Sequence, residues 1–205
     1  IVSCPDATLD GMTFAEVGAE RGTDPLDAFL DLQVAYGNDL RWYSVVANGN
    51  AEHLEWIIAN PAAMIGFSDA GAHLRNMAFY NFPLRMLKRV RDAQRAGRPF
   101  MSVEDAVRKL TSDIAEFHRI DAGRLETGAR ADLVVIDPER LDDTVEEIHE
   151  EPMPEFTGLN RLVRRNDDTV RAVLVSGKVA WKGGAPADDL GTSRHYGRVL
   201  ALGSA

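Results

Sequence analysis

Two side chains that could do chemistry lie four residues apart, at the end of a short apolar stretch. They are the carboxylate of Asp69 and the imidazole of His73, and the stretch before them covers residues 63–68. Because the stretch follows Pro61 and ends in small and polar residues, it is typical of a buried strand that leads into a loop. A carboxylate at the end of such a strand is where α/β enzymes place reactive groups, and it can bind a metal ion or move a proton. The local sequence leaves open that Asp69 only caps the following turn.

Three residues that follow Asp69 are candidates for contact with a substrate. His73 could touch the substrate or support Asp69, or it could be an ordinary loop histidine, while Arg75 and Asn76 could bind a substrate carboxylate. A serine hydrolase triad of Ser68, Asp69 and His73 is excluded, because the three residues are too close in sequence and the glycine pattern of a nucleophile elbow is absent.

The motif Ser-Asp-Ala-Gly-Ala-His of residues 68–73 resembles the last barrel strand of the metal-dependent amidohydrolase superfamily, in its D-aminoacylase branch. The stretch from Gly11 to Leu32 resembles the segment that this branch carries before its last two barrel strands. The resemblance implies that Asp69 binds the active-site metal, zinc, and handles the proton of the attacking water. It also implies the end of a TIM-type (β/α)8 barrel.

The rest of the zinc site that the resemblance implies is not found in this sequence. The family takes most of its ligands from earlier strands, beginning with a His-x-His pair, whereas this sequence contains no such pair and no histidine before His53. The other zinc ligands are therefore expected outside this chain. The start at Ile1 rather than Met also makes a fragment of a longer polypeptide plausible.

A second resemblance covers the C-terminal part of the chain. Residues 123–137 resemble the segment by which amidohydrolases leave the barrel and enter a small β-sandwich, and residues 173–179 resemble a hairpin near the end of that sandwich. The resemblance implies barrel elements over residues 1–120 and a sandwich segment over residues 121–205. We expect the overall fold class to be α/β.

The elements predicted for residues 1–120 alternate between capped helices and apolar strands. Helix starts are predicted at Thr13 and at Asp24-Pro25, and the second helix carries Leu26, Phe29, Leu30 and Val34 on one face. Residues 42–47 and 63–68 are predicted to be strands on either side of a helix, which makes a βαβ unit with a parallel sheet. Three further helices begin near Asn81, Ser102 and Thr111. The first of these has a basic outer face, which is either solvated or a site for phosphate or nucleic acid; it consists of Arg85, Lys88, Arg89, Arg91 and Arg95.

Glycine-punctuated apolar runs after Asp121 predict a β-rich region. Residues 133–136 and 170–175 are predicted inner strands, and the second continues through a Ser176-Gly177 turn into a hairpin. Four consecutive apolar residues imply burial on both faces, so Val135 is expected in an apolar interior. The acidic residues 138–160 are predicted to form a surface loop.

Composition restricts the function classes. A net charge of −9 without a basic tail argues against nucleic-acid binding, and no apolar run approaches the roughly 20 residues of a membrane span. The single cysteine, Cys4, fits a cytoplasmic protein because it has no partner for an intrachain disulfide.

The resemblance implies the C-terminal portion of a zinc-dependent amidohydrolase that cleaves the amide of N-acyl-D-amino acids or similar small molecules. Asp69 is then both metal ligand and catalytic acid/base, and the N-terminal part of the enzyme is the expected partner, so that this chain alone is incomplete and inactive. Two alternatives stay open: a cyclic-amide hydrolase of the dihydroorotase or hydantoinase kind, and a non-catalytic barrel-tail and sandwich module used for assembly.

Overall fold

The computed structural model describes residues 1–154 and 156–202, so Glu155 of the predicted acidic loop and the last three residues of the predicted sandwich segment lie outside the described residues. The chain divides into two compact units, Ile1–Leu54 and Glu55–Ala205. The helices of the described residues are α1 (Phe14–Arg21), α2 (Pro25–Tyr36), α3 (Ala51–Ala59), α4 (Phe82–Arg95), α5 (Val103–Leu110) and α6 (Ser112–His118). The strands are β1 (Leu133–Ile136), β2 (His149–Pro152), β3 (Asn160–Val163), β4 (Val170–Val175), β5 (Lys178–Lys182) and β6 (Ala185–Pro186).

The helix starts of the first unit are confirmed, with the hydrogen bonds that the sequence predicts. Thr13 and Glu16 form a capping box, in which the Glu16 N–H donates to Thr13 Oγ1 at 3.1 Å and the Thr13 N–H donates to Glu16 Oε2 at 2.7 Å. At α2 the side chain of Asp24 accepts from the Leu26 N–H at 2.8 Å, and Pro25 occupies the first turn. Local side-chain chemistry is therefore enough to begin both helices.

The predicted inner face of α2 is wrong except at Phe29, which is half-buried and packs against the rings of Phe14 and Trp42. Leu26, Leu30 and Val34 are exposed, whereas Ala28 and Leu32 are buried in a core that also contains Leu9, Val17 and Leu40. Both stripes repeat every four residues, so the spacing alone does not decide between them. The small side chain of Ala28 allows α1 and α2 to pack closely, and this contact selects the buried stripe.

The predicted βαβ unit is also wrong. Residues 42–47 and 63–68 form no strand, and every strand pairing among the described residues is antiparallel, so no closed barrel is present in them. Val46 is 93% exposed and Phe67 is 87% exposed. A strand of a parallel sheet takes its backbone hydrogen bonds from neighbouring strands, and neither stretch has such a neighbour in the described residues. The helix between them, α3, is confirmed.

A four-stranded antiparallel sheet with the order β1-β4-β5-β6 dominates the β-rich region. The hairpin of β4 and β5 is confirmed, since Val175 pairs with Lys178 across a turn in which Ser176 (φ 51°) and Gly177 (φ 80°) are both left-handed. The burial predicted for Val135 is wrong: this side chain is 48% exposed and Val134 is 56% exposed, so neither face of β1 is fully covered. β1 is an edge strand with β4 as its neighbour, and not an inner strand. β4 is an inner strand, as expected. The sandwich itself stays a prediction.

The acidic residues 138–154 are more ordered than the surface loop predicted for them. They contain two 3₁₀ turns, Pro138–Arg140 and Asp143–Glu146, and strand β2, which pairs with β3. Val145 between the carboxylates is fully buried. This segment therefore packs against the protein rather than projecting into solvent.

The basic face of α4 is covered by acidic side chains. Arg85 Nε lies 2.6 Å from Glu146, Lys88 Nζ lies 2.8 Å from Asp143, and Arg95 Nη2 lies 3.4 Å from Glu139. Three of the five basic residues therefore pair with the acidic segment and Arg89 pairs with Glu55, while the Arg95 side chain is still 56% exposed. Carboxylates therefore balance most of the charge of this face.

Asp92 on α4 is held ionised by the same basic face. Partial burial alone would raise the pKa of the Asp92 carboxyl, but hydrogen bonds from Arg91 and Lys88 outweigh burial and lower that pKa below its ordinary value. No helix in the part of the chain that the structure describes has the length and apolarity needed to cross a bilayer.

Candidate functional site

The candidate site is a loop of residues 68–81, called the site loop below, which connects the unpaired apolar stretch to α4. Asp69 adopts a left-handed backbone conformation with φ 56°. Asp and Asn tolerate this region better than most residues, at a cost of about 1 kcal/mol, and such positions are concentrated at functional sites. The loop thus begins with a sharp change of chain direction at the acidic residue itself.

The turn after Asp69 is capped without the Asp69 side chain. The Ala70 N–H donates to Ser68 Oγ at 3.3 Å, and the Ala72 N–H donates to the backbone carbonyl of Asp69 at 3.2 Å. The Asp69 carboxylate is 60% exposed and accepts no hydrogen bond from any described residue. The capping role that local sequence left open for Asp69 is therefore filled by Ser68, and the carboxylate is available for another partner.

The structure brings His73 close to Asp69, which is one of the arrangements that the sequence leaves open. His73 Nε2 lies 3.7 Å from Asp69 Oδ2, and about half of the imidazole is exposed. This separation is longer than a hydrogen bond, so the two groups interact through charge when the imidazole is protonated. The pair is arranged so that the ring nitrogen faces the carboxylate.

Arg75 and Asn76 lie in the next turn of the site loop. Their backbone is held because the N–H groups of Asn76 and Met77 both donate to the His73 carbonyl, at 3.0 and 2.9 Å. Both side chains are exposed, and neither has a hydrogen bond or ion pair to another described residue. Their role in substrate binding stays a prediction.

A buried arginine, Arg164, lies behind the site loop and is not predicted from the sequence. The Arg164 side chain is 3% exposed, and it donates from Nε to the Ala78 carbonyl at 2.7 Å and from Nη1 to the Val145 carbonyl at 3.1 Å. Asn81 Nδ2 donates to the same Val145 carbonyl at 2.8 Å. No sequence signal separates Arg164 from Arg165, its exposed neighbour, because both follow the same strand and carry the same side chain.

The buried guanidinium of Arg164 lies close to the carboxylate of Glu146. Glu146 Oε2 lies 3.8 Å from Arg164 Nη1, and it also accepts from Arg85 Nε at 2.6 Å. A buried charge is tolerated when it is hydrogen-bonded and balanced in this way. The acidic segment therefore helps to hold Arg164, which in turn binds the Ala78 carbonyl of the site loop.

Asp69 suits a metal ion as one ligand of a larger set. Its carboxylate is exposed and accepts no hydrogen bond from a described residue, so its oxygen atoms are accessible to a cation. A catalytic zinc normally has three protein ligands, and no group of three His, Cys, Asp or Glu side chains close enough to share a metal occurs among residues 1–154 and 156–202. The donor set of the described residues fits a metal but does not complete its coordination.

Two cavities of the second unit lie elsewhere. One, of about 330 Å³, is lined by residues of α5 and α6 together with Met64 and Phe100, and the other, of about 500 Å³, is lined by Arg130 and His195 among others. Asp69 lines neither of them.

Known proteins are similar in sequence to nearly the whole of this chain. An uncharacterized protein of Mycobacterium tuberculosis is 51% identical over 99% of this chain, and so is one of Mycobacterium bovis. The D-aminoacylase of Alcaligenes xylosoxydans xylosoxydans is 29% identical over 96% of the chain. The chain spans about a third of the length of these relatives, 34% to 35%.

Solved structures of D-aminoacylase share the fold of this chain. They superpose with a TM-score of 0.51 at 24% identity and cover 96% of this chain and 36% of their own. One of them was described as defining a novel subset of amidohydrolases, and another concerns the binuclear metal centre of that enzyme. Residues 10–180 match the sequence profile of the amidohydrolase family. The chain therefore belongs to the amidohydrolase family, as the motifs at residues 68–73 and 123–137 indicate, and within that family it is similar to D-aminoacylase.

Proposed function

We propose that this chain is the C-terminal portion of a zinc-dependent amidohydrolase that cleaves N-acyl-D-amino acids or closely related amides. The observation that carries the proposal is the Asp69 carboxylate, which is exposed, free of hydrogen bonds and not needed to cap the turn that it begins. The coverage of about a third of each relative supports a longer polypeptide, whose N-terminal part supplies the other metal ligands. On this proposal residues 1–120 complete a TIM-type barrel, and residues 121–205 are part of a sandwich domain.

On this proposal, four residues of this chain would take part in amide hydrolysis. Asp69 binds the metal through its carboxylate, accepts the proton that water releases on attacking the amide carbon, and passes it to the departing nitrogen. His73 faces the same carboxylate across 3.7 Å and helps to orient it. Arg75 and Asn76 bind the substrate carboxylate, which fixes the amide relative to Asp69. A zinc ion, when bound, would supply an acidified water and polarise the substrate carbonyl.

The exchange of Asp69 for asparagine in the complete protein tests this assignment. The asparagine side chain would keep the shape of the carboxylate but cannot accept a proton, so D69N should lower kcat by about 10²–10⁴-fold while circular dichroism stays unchanged. Asp188→Asn is the matched control, because Asp188 is an exposed turn residue remote in sequence from the site loop. Near-native turnover in D69N would remove Asp69 from the chemistry.

Metal analysis gives a second test that does not depend on the substrate. The complete protein should hold zinc stoichiometrically and lose most of it in D69N, whereas the 205-residue chain alone should bind zinc weakly and lack amidase activity. Stoichiometric zinc in the isolated chain would refute the expectation that the other zinc ligands lie outside it.

The substrate class is tested with a panel of amides. N-acyl-D-amino acids should be hydrolysed faster than their L-isomers and faster than hydantoins or dihydroorotate. A preference for the cyclic amides would favour the ring-opening alternative, and a complete protein without any hydrolytic activity would favour an assembly module.

A further inference from the structure

We propose that Arg164 is a positioning residue that fixes the part of the site loop on which Arg75 and Asn76 lie. Its relevance to catalysis rests on the proposed function, while its mechanical role rests on contacts within the second unit alone. Sequence patterns give no hint of this role, because an arginine that follows a strand is ordinarily solvated.

Strand β3 and the residue after it hold the site loop at three points. The Leu162 N–H donates to the Leu74 carbonyl at 2.8 Å, and the Arg164 N–H donates to the Tyr80 hydroxyl oxygen at 2.5 Å. The Arg164 side chain donates to the Ala78 carbonyl at 2.7 Å. Because backbone groups two residues apart on a strand point to the same side, the edge of β3 that is turned away from β2 faces the loop.

These three hydrogen bonds, called anchors below, attach the site loop on both sides of the predicted substrate-binding residues. Leu74 lies directly before Arg75 and Asn76, and Ala78 lies two residues after them. Asp69 lies outside the segment between these anchors, on the far side of the His73 turn. Loosening the Ala78 anchor should therefore disturb Arg75 and Asn76 more than Asp69.

The hydrogen bonds from Arg164 to the Ala78 and Val145 carbonyls depend on the shape of the guanidinium group. Ala78 and Val145 are almost completely buried, so their carbonyls have little access to water and depend on protein donors. The planar guanidinium reaches both carbonyls with two N–H groups of fixed geometry, whereas a lysine ammonium is a single point of charge on a flexible stem. Replacing Arg164 thus leaves two buried acceptors, one of them in the site loop, without one of their donors.

Amide hydrogen exchange of the 205-residue chain tests the mechanical role. In R164M the amides of Asn76, Met77 and Leu162 should exchange at least about tenfold faster than in the unchanged chain, with R164K intermediate. The matched control is Arg165→Met, which removes an exposed ion pair with Glu151 and should leave these amides unchanged. Unchanged exchange in R164M would overturn the proposal.

A milder variant covers the case in which R164M unfolds. Tyr80→Phe removes the hydroxyl that accepts from the Arg164 N–H and leaves the guanidinium in place. It should accelerate exchange at Asn76, Met77 and Arg164 several-fold while the amides of the sheet β1-β4-β5-β6 keep their rates. Exchange at the site loop that stays as slow as in the unchanged chain would again overturn the proposal.

Steady-state kinetics of the complete protein separate positioning from a loss of folded enzyme. R164M should raise KM for an N-acyl-D-amino acid about tenfold and change kcat by less than about threefold, because the substrate carboxylate is held less well while Asp69 stays in place. R164K should recover part of the KM. A merely structural role would lower kcat in proportion to the unfolded fraction and leave KM unchanged, and that result would overturn the proposal. If D69N keeps its activity the proposed function fails, and the exchange experiment still decides whether Arg164 anchors the loop.

Discussion

Gly123 stands where the helices give way to the β-rich region, and replacing it with alanine should destabilise the second unit strongly. Its backbone is left-handed, with φ 77°, so alanine would cost about 1 kcal/mol on conformational grounds alone. A Cβ atom at this position would also lie 2.8 Å from the backbone carbonyl carbon and oxygen of Thr111 and 3.0 Å from Ser112 Cα. These are backbone atoms at the start of α6, so they cannot turn aside as the tip of a side chain would. Overpacking of this kind typically costs about 1–3 kcal/mol, which gives a total loss of about 2–4 kcal/mol for G123A.

Gly128 supplies the matched control for this experiment. It is also left-handed, with φ 86°, but a Cβ atom there would meet nothing within 4 Å. G128A should therefore show only the conformational cost, about 1 kcal/mol. Urea denaturation of the unchanged chain and both variants, followed by circular dichroism, measures the two losses, and their difference isolates the steric part. Equal losses in G123A and G128A would refute the close approach of residue 123 to the start of α6.

Three further changes test the packing and the charges of the chain. Leu32→Ala should lower the free energy of unfolding by about 3 kcal/mol in urea denaturation, because Leu32 is fully buried. Leu30→Ala on the same helix should lower it by less than about 1.5 kcal/mol, because Leu30 is half-exposed. Similar losses in the two variants would contradict the burial of Leu32 on α2. Val135→Asp should cost only about 1 kcal/mol, since this edge-strand side chain is half-exposed, and a loss of several kcal/mol would mean that β1 is covered in solution. The lowered pKa of Asp92 contributes stability that is present above the unfolded carboxyl pKa and is lost as pH falls through the folded value. Asp92→Asn should therefore reduce the loss of stability as the pH falls below about 4, and an unchanged pH profile would show that the ion pairs of Asp92 contribute nothing.

The helices were predictable because their signals are local. The capping box at Thr13, the Asp24-Pro25 start and the Ser102 cap each act within one helical turn, and each hydrogen bond is found where the sequence places it. The Ser176-Gly177 hairpin was predictable for the same reason, because two adjacent left-handed residues define the turn.

The candidate site was predictable only in its reactive part. Asp69 and His73 are four residues apart, so one turn of the loop brings them together. The support of that loop comes from Arg164, which is more than 80 residues away from Ala78 and Tyr80. Contacts at such separations are set by the packing of whole elements, and the spacing of residues in the sequence does not encode them.

Burial was the property that sequence predicted least well. The apolar character of residues 42–47 and 63–68 indicates strands that are covered on both faces, yet Val46 and Phe67 are almost fully exposed. Leaving a large apolar side chain exposed forfeits about 1.5–3 kcal/mol of stabilisation, which is a large cost for a domain whose total stability is about 5–15 kcal/mol. Apolar runs of strand type without strand partners are compatible with the proposed longer enzyme, because each run would have one of its two neighbours in a barrel outside this chain. The exposure of Asp69 fits the same proposal, on which the other metal ligands would come from strands outside this chain.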